Sequence, residues 1–409
     1  MKRHGTVWDR VASYRTAGER LVIGLMTGTS ADGVDAALVR FRGHGLDATH
    51  EVVAYRETAL SAALRAEVLD LAGAAELAPE RLMRLDAALG DTYADAVAAL
   101  LRDARVAPSA VAAIGSHGQT VRHLPRGENG GRALTLQLGS AAVLAERTGI
   151  DVVSDFRTRD TVCGGEGAPL VPIVDWWLFR DARESRVLLN LGGMANVTHL
   201  PAGCGLSGLL AFDTGPGNAV LDGLVAEASA GLARQDEGGR MAAQGRVHQG
   251  LLEELLADPF FAVAPPRSTG RERFGEAYAR LLREIAEPLG LSLEDMLATA
   301  AELTAASVAD AVARFLEPRG GVDAVYASGG GVRNATLMVA LRRRLEGTRV
   351  ARLDELGVAS EAKEALAFAL LAHLTLCGLP GNVPAATGAR VPAVLGHITP
   401  GVAPGEEQE

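Results

Sequence analysis

Two short glycine-rich turns constrain what this chain can fold into. The first lies in LVIGLMTGTSADGVDAALV (residues 21–39) and the second in RVLLNLGGMANVTHL (residues 186–200). In each, a turn of small and polar residues joins two apolar runs, which is the pattern of a β-hairpin. Glycine allows close approach to the backbone and leaves N–H groups directed at one point, as phosphate binding requires. Two such hairpins, each opening a run of strands and helices, predict a two-lobed protein that grips a nucleotide between its halves.

The composition excludes several classes of function. Of the 409 residues, 48% are hydrophobic, which is enough for the cores of two lobes. A net charge of -10 without a dense Lys/Arg run argues against a nucleic-acid partner. The three cysteines form no CxxC pair, so they indicate neither a disulfide framework nor a zinc site. The N-terminus lacks the apolar segment of a signal peptide, and no run of 18 or more apolar residues occurs. We therefore expect a cytoplasmic protein without a membrane partner.

The two halves of the chain share an order of elements. Each begins with a glycine hairpin, continues with strands and helices, and reaches a strand that runs into a further glycine turn. This order predicts the α/β class and a duplicated unit. The first lobe is predicted to span residues 1–185, with a C-terminal segment of about 385–409 returning to it, and the second lobe residues 186–384. The polar segment 235–275 is expected to be a surface excursion on the second lobe.

Three polar turns are candidate nucleotide contacts. GTSADGVD, which starts at Gly28, suits a phosphate with Asp32 near a metal, or else is an ordinary hairpin capped by Asx and ST turns. FDTGPGN follows an apolar strand, where ligands bind in α/β sheets, and its Asp213 suits Mg²⁺ bound through water. SGGGVRN places three glycines before a helix, which suits either an adenosine or simple helix capping. Its spacing is not that of the dinucleotide fingerprint.

Two further segments carry candidates for the chemistry. SDFRTRDTVCGGEGAPLVP (residues 154–172) offers Asp155 and Asp160 as general bases, unless it is only a solvated loop of ion pairs. GSHGQTVRHLP (residues 115–125) places His117 and Gln119 after a strand, where they either contact a polar substrate or serve the structure. No Walker A lysine, HExxH, GxSxG or protein-kinase signature occurs, which excludes the commonest ATPases, hydrolases and protein kinases.

Taken together, these segments resemble the anhydro-N-acetylmuramic acid kinase family. The resemblance runs in order from about residue 21 to 401 and rests on GLMTGTSADGVDAALV, GSHGQTVRHLP, ERTGIDVVSDFRTRD, GGEGAPLVP, NLGGMANVT, FDTGPGN, PPRSTGRERFG, KEALAFALLA and ATGARVPAVLGHITPG. It implies the two-lobed actin/hexokinase-like (ribonuclease H-like, duplicated) fold, with ATP and Mg²⁺ in the cleft between the lobes. It also implies a reaction of peptidoglycan recycling, in which the 1,6-anhydro ring of anhydro-N-acetylmuramic acid is opened and O6 is phosphorylated. A homodimer is the family-based expectation.

The same resemblance implies roles for individual residues. Asp160 is expected to activate the water that attacks C1, with Asp155 as the alternative. Mg²⁺ is expected near Asp32 and Asp213, and the sugar near His117, Gln119 and Glu364. ATP is expected to lie against a set of turn residues, namely Gly28, Thr29, Ser30, Asp32, Gly192, Gly193, Asn196, Asp213, Gly215, Asn218, Gly329, Gly330 and Gly331.

The chain departs from the usual family pattern at a few positions. Thr27 stands where Ser is expected, and Ala31 where a large apolar residue is usual. Cys163, Glu166 and Asp175 replace an expected Ala, Gln and His. Glu166 adds negative charge near Asp160, which is expected either to raise the pKa of Asp160 by like-charge repulsion or to weaken binding of an anionic lactyl group. The alternatives are therefore a kinase for a neutral anhydrosugar of the levoglucosan type and, from another class, a non-catalytic ATP-binding module.

Overall fold

The structure, a computed structural model, describes residues 6–74, 76–126, 131–358 and 361–402. Its strands are β1 (Glu19–Thr27), β2 (Gly33–Arg42), β3 (Thr49–Ala59), β4 (Val111–Leu124), β5 (Leu134–Leu138), β6 (Val152–Ser154), β7 (Arg186–Leu191), β8 (Met194–Leu200), β9 (Leu210–Pro216), β10 (Ala324–Ser328), β11 (Arg349–Arg352) and β12 (His397–Thr399). Its α-helices are α1 (Val7–Thr16), α2 (Ala62–Gly73), α3 (Pro79–Ala104), α4 (Ala141–Thr148), α5 (Thr158–Val162), α6 (Pro172–Phe179), α7 (Ala219–Ala228), α8 (Gln249–Leu256), α9 (Pro259–Ala262), α10 (Arg271–Phe274), α11 (Glu276–Ala286), α12 (Leu293–Ala311), α13 (Ala335–Arg344), α14 (Lys363–Cys377) and α15 (Pro384–Thr387). Short 3-10 turns, and a π-helical turn at Val312–Leu316, occur between them.

The first compact unit comprises residues 1–174 and 361–409. Its seven-stranded sheet has the order β12-β6-β4-β1-β2-β3, with β5 paired to β4. Strands β1, β2 and β3 form an antiparallel meander, β4 runs parallel to β1, and β6 runs parallel to β4. The first glycine turn therefore joins β1 to β2 at the tip of a hairpin, as the sequence predicts.

The second unit, Asp175–Ser360, repeats this pattern. Its sheet has the order β11-β10-β7-β8-β9, in which β7, β8 and β9 are an antiparallel meander. Strand β10 runs parallel to β7, and β11 runs parallel to β10. Meander and parallel strands thus follow in the same order and direction in both units. The predicted α/β class and duplicated unit are confirmed, whereas the cleft between the lobes stays a prediction.

Helix α14 belongs to the first unit, although the sequence analysis assigned residues up to 384 to the second lobe. It lies directly on β1 and β4, where a Cβ at Gly24 would stand 1.8 Å from the Ala365 carbonyl oxygen and one at Gly115 would stand 2.1 Å from that of Phe368. The two glycines therefore allow the helix backbone onto the sheet. The apolar sequence of this helix predicts that it is buried, but it does not predict which of the two sheets the helix covers. The boundary between the units also falls before residue 175 and not at 185.

The second unit is built around α12, whose residues are nearly all buried. Within the described residues, Leu293–Arg319 is the one helical segment long and apolar enough to cross a membrane, and 83% of its apolar window is buried inside the fold. Phe260 and Phe261, which lie inside the predicted surface excursion, are buried in the same core. That prediction is wrong for this part of the segment, because its polar composition conceals short helices with one apolar face each.

Candidate active site

The loop after β6 carries the two candidate bases. Asp155 lies just after the strand with a positive φ of 56°, and its Oδ1 accepts the backbone N–H of Thr158 at 3.3 Å. This turn directs the chain into α5, whose third residue is Asp160. The positions of the two carboxylates are therefore determined by the end of β6, the turn at Asp155 and the first turn of α5.

The Asp160 carboxylate is completely buried and is held by three donors. Oδ1 accepts from Nδ2 of Asn382 at 2.6 Å and from Oγ1 of Thr387 at 2.8 Å, and Oδ2 accepts from the N–H of Gly167 at 2.8 Å. A Cβ at Gly165 would stand only 2.1 Å from Oδ2. Glycine at 165 therefore lets the backbone pack directly against Oδ2, which any side chain at this position would strike. Both oxygens of the buried carboxylate accept hydrogen bonds, which hold it in one orientation.

Asp155, the alternative base, has a different environment. Its side chain is 35% exposed, and its Oδ2 lies 3.3 Å from Nδ1 of His397. Its Oδ1 is occupied by the N–H that begins α5. Asp155 is thus more exposed than Asp160 and accepts fewer hydrogen bonds from the chain.

Three buried polar atoms without partners lie close together in the middle of β4. Within the described chain, Oγ of Ser116, Nδ1 of His117 and Oε1 of Gln119 are buried and make no hydrogen bond. Buried polar atoms are nearly always hydrogen-bonded, so three within four residues indicate a place that a polar ligand fills. Ser116 and His117 also line a cavity of about 310 Å³ that Asp155 borders. Gln119 reaches the first glycine turn instead, because its Nε2 donates to the Gly28 carbonyl oxygen at 3.1 Å.

His117 is tied to a buried cation. Nε of Arg157 donates to Nε2 of His117 at 3.0 Å, and the same guanidinium donates to the Gly167 carbonyl oxygen at 2.7 Å. Burial and, to a smaller degree, the Arg157 charge lower the pKa of His117 to about 3. The imidazole is therefore neutral at physiological pH and can orient a ligand without carrying charge.

Glu364 begins α14 on the solvent-accessible side of this region. The surrounding protein desolvates the carboxyl and thereby raises its pKa, although the charge of Lys363 acts to lower it. Asp35 and Arg157 are the other charged groups close enough to influence it. Arg157 therefore lies close to two of the predicted sugar-side residues, His117 and Glu364.

Glu166 does not leave an uncompensated charge near Asp160, contrary to the expectation from the sequence. Its Oε1 lies 3.1 Å from Nε of Arg126, and its Oε2 accepts the backbone N–H of the same residue at 2.9 Å. The backbone N–H of Glu166 in turn donates to the Thr387 carbonyl oxygen. The departure from the family pattern is therefore balanced by an arginine forty residues earlier in the chain.

The tip of the first hairpin is exposed and lightly held. Thr29, Ser30 and Asp32 are exposed, and the turn is closed by the N–H of Ala31 bonding to the Gly28 carbonyl oxygen. Asp32 lies 2.9 Å from Nη2 of Arg65, with 61% of its side chain exposed. The predicted metal ligand of this turn is thus already engaged by a cation.

The tip of the second hairpin is tied down by the segment after β9. The carbonyl oxygen of Gly192 accepts the N–H of Asn218, and that of Gly193 accepts the N–H groups of Gly217 and Ala219. The Asn218 side chain adds bonds to the carbonyl oxygens of Leu191 and Gly192, both at 3.1 Å. Two predicted nucleotide turns therefore form one rigid backbone structure.

The triple-glycine turn joins the same structure. Gly329 has a positive φ of 82°, and a Cβ there would stand 2.8 Å from the Leu191 carbonyl oxygen. A Cβ at Gly331 would stand 3.3 Å from Nδ2 of Asn218, and Gly330 lies at a similar distance from that group. The structure thus brings together Gly192, Gly193, Asn218 and the three glycines at one end of the sheet.

Asp213 stands beside this cluster, opposite Asn196 in the β8–β9 ladder. Its Oδ2 accepts the N–H of Thr269 at 2.7 Å, and its backbone exchanges hydrogen bonds with Arg267. Burial raises the pKa of Asp213 to about 6, despite the opposing hydrogen bond from Thr269. Gly215 differs from its neighbours, because a Cβ there would strike the Phe261 ring at 2.7 Å in the core. Close packing against Phe261 therefore explains why position 215 is glycine.

Comparison with known proteins identifies the family. A family model described as "Anhydro-N-acetylmuramic acid kinase" matches residues 20–401. Curated proteins of that name are 42% identical in Caldanaerobacter subterraneus (96% of this chain, 100% of the relative) and 46% identical in Gloeobacter violaceus (93% and 98%). The chain belongs to the anhydro-N-acetylmuramic acid kinase family. Among solved structures, a ROK hexokinase from Thermus thermophilus aligns with a TM-score of 0.33 at 17% identity, covering 85% of this chain and 98% of that one.

Two residues that the sequence analysis did not single out lie at the second hairpin. Nε of Arg271 would stand 3.6 Å from a Cβ at Gly193, so its guanidinium lies on the tip. Asp222 lies one helical turn beyond Asn218. Burial raises the pKa of its carboxyl to about 6, although the charge of Arg271 acts to lower that pKa. The signal for Arg271 lay in PPRSTGRERFG, which counted toward the family resemblance without receiving a role. No comparable signal marked Asp222.

Proposed function

We propose that this chain uses ATP to open the 1,6-anhydro ring of anhydro-N-acetylmuramic acid and to phosphorylate O6, giving N-acetylmuramic acid 6-phosphate and ADP. Family membership supports the reaction. The observation that carries it for this chain is the row of unpartnered polar atoms at Ser116, His117 and Gln119 beside the Asp160 loop. A polyhydroxylated sugar with an acetamido group supplies the donors and acceptors that these atoms lack.

Asp160 acts as the general base in this proposal. Its Oδ2 takes a proton from water, and the water oxygen forms a bond to C1 as the C1–O6 bond breaks. O6 then attacks the γ-phosphorus of ATP, and the bond to the β-phosphate oxygen breaks to release ADP. The proton on Asp160 returns to solvent when the products leave. A positioned base of this kind contributes about 10²–10⁴-fold to the rate.

The glycine turns of the second unit hold the nucleotide in this proposal. The fixed backbone at Gly192 and Gly193 approaches the phosphates, and Arg271 adds the positive charge that a Walker A lysine supplies elsewhere. Mg²⁺ takes one or two carboxylates together with phosphate oxygens and water. Asp213 suits it better than Asp32, because Asp32 is paired with Arg65, whereas no described residue forms an ion pair with the Asp213 carboxylate. Mg²⁺ would neutralise charge on the transferred phosphoryl group.

The sugar lies against His117 and Gln119 in this proposal, with Glu364 and Arg157 at its edge. The neutral imidazole accepts from Arg157 through Nε2 and leaves Nδ1–H to donate to a sugar oxygen. Asp155 borders the cavity, where it accepts a hydrogen bond from a sugar hydroxyl without taking part in ring opening. We propose that the protein acts in the cytoplasm, as its composition indicates, and as a homodimer, as its resemblance to the family implies.

The test is turnover of the purified protein with ATP, Mg²⁺ and anhydro-N-acetylmuramic acid, compared with levoglucosan. Mass spectrometry of the product is expected to show addition of both water and a phosphoryl group to the muramic acid, with ADP formed in equal amount. Turnover of levoglucosan alone would establish a neutral-sugar kinase. ATP binding without turnover of either sugar would indicate a non-catalytic module.

A further inference from the structure

We propose that Arg390 recognises the carboxylate of the sugar's lactyl ether and thereby selects a muramic acid over a neutral anhydrosugar. The inference rests on the proposed function, because it names the residue that distinguishes two substrates of the same reaction. It concerns the segment after α15, which returns to the loop that carries Asp160.

Arg390 lies on the loop of the candidate base. Its backbone N–H donates to the Cys163 carbonyl oxygen at 2.9 Å. Its Nη1 would stand 2.7 Å from a Cβ at Gly164, where φ is 89°. The Arg390 guanidinium therefore lies over Gly164, and any side chain at position 164 would displace the guanidinium.

The Arg390 guanidinium is uncompensated among the residues that the structure describes. No ion pair or side-chain hydrogen bond engages it, although the side chain is exposed. The neighbouring Arg126 differs, because Glu166 binds both its backbone and its guanidinium. In a chain with a net charge of -10, the Arg390 cation close to the base is thus left for an anion from outside.

The spacing fits one substrate molecule. Gly164 meets Arg390, and the adjacent Gly165 meets Oδ2 of Asp160. Since consecutive Cα atoms are about 3.8 Å apart, the cation and the base lie within about 12 Å of each other. One muramic acid can bridge such a distance, from the water at C1 across the pyranose ring to the carboxylate carried on O3. Arginine binds a carboxylate through two parallel hydrogen bonds, which adds direction to the charge.

Arg390→Gln and Arg390→Lys test this role against two sugars. The sugars are anhydro-N-acetylmuramic acid and 1,6-anhydro-N-acetylglucosamine, which has the same ring and acetamido group but no lactyl ether. We expect Arg390→Gln to lower kcat/KM for the muramic acid about 10- to 100-fold, mainly through KM, as expected for loss of a charged hydrogen bond. For the glucosamine, kcat/KM (or the inhibition constant, if turnover is too slow) and the KM for ATP are expected to stay within about twofold. Arg390→Lys is expected to recover part of the loss, since it keeps the charge but not the planar fork.

Arg280→Gln is the matched control, because Arg280 on α11 is also exposed and has no ion pair or side-chain hydrogen bond among the residues that the structure describes. It is expected to leave both sugars unaffected. Equal losses on both sugars, a raised KM for ATP, or an unchanged muramic acid KM would overturn the role of Arg390. Failure of the unaltered protein to turn over the muramic acid would instead overturn the proposed function, and the inference with it.

Discussion

Asp160 and Asp213 are the two aspartates with the largest predicted roles, and their surroundings are opposite. Asp160 is buried among three hydrogen-bond donors from two separate segments of the first unit. Asp213 receives one donor on its carboxylate, and burial raises its pKa to about 6. The first carboxylate is held in one orientation. The second has a single donor, and we propose that a bound cation compensates its charge.

This difference separates two tasks that a kinase of this kind must perform. A general base has to point one lone pair at one water, so it benefits from a second oxygen that is fully engaged. A carboxylate that binds a metal gains when burial makes its free charge costly, because the metal then relieves that cost. Four substitutions test the comparison, beginning with the largest expected effect.

Asp160→Asn is expected to lower kcat about 10²–10⁴-fold, because the amide cannot accept the proton of water. ATP affinity, measured by calorimetry, is expected to stay within about twofold. Asp155→Asn on the same loop is the matched variant, and we expect its kcat to fall less than about tenfold. A larger loss in Asp155→Asn than in Asp160→Asn would transfer the role of base to Asp155.

Asp213→Asn is expected to raise the Mg²⁺ concentration needed for half-maximal activity about 10- to 100-fold. In the unaltered protein, the carboxyl is ionised above its pKa of about 6, so kcat/KM for ATP should fall as the pH drops through that value. Because Mg²⁺ binds the ionised form, more Mg²⁺ should move this midpoint to lower pH. A profile whose acidic limb persists in Asp213→Asn would assign the limb to another group.

Thr387→Val removes one donor from Oδ1 of Asp160 while keeping the shape of the side chain. We expect a loss of about 1–3 kcal/mol in the free energy of unfolding, measured with urea, because a buried carboxylate oxygen loses a partner. A fall in kcat of about tenfold should accompany it as the carboxylate loses its orientation. An unchanged kcat in a destabilised protein would show that Thr387 serves the fold alone.

Asp32→Asn should have the smallest effect. The exposed ion pair with Arg65 contributes less than about 1 kcal/mol to stability. We expect the Mg²⁺ requirement to stay within about twofold, in contrast to Asp213→Asn. A rise in that requirement as large as for Asp213→Asn would restore Asp32 as a metal ligand.

Local patterns in the sequence predicted much of the fold. Both glycine hairpins, the strand that leads to Asp213 and the strand that leads to Gly329 follow from apolar runs ending in special turn residues. The repetition of these patterns predicted the duplicated strand order. The position of α14 could not be predicted, because it depends on Gly24 and Gly115, which carry no local signal for a helix that comes about 250–340 residues later.

The candidate site was predictable in its motifs but not in its pairings. Asp160 stood out in its segment, yet its partners Asn382 and Thr387 lie more than 200 residues away. Likewise, the charge of Glu166 was visible in the sequence, whereas its neutralisation by Arg126 was not. Such pairings are set by tertiary packing, which a single sequence does not encode in any local period.

The central claim is that Asp160 activates water for attack at C1 while O6 receives the phosphoryl group. The most direct measurement is turnover in ¹⁸O-labelled water, quenched early and analysed by mass spectrometry, for the unaltered protein and for Asp160→Asn with ATP bound. The account predicts one labelled oxygen at C1, an unlabelled phosphoryl group on O6, and loss of both with Asp160→Asn. Label in free phosphate without sugar product, or a phosphorylated sugar that keeps its anhydro ring, would contradict it.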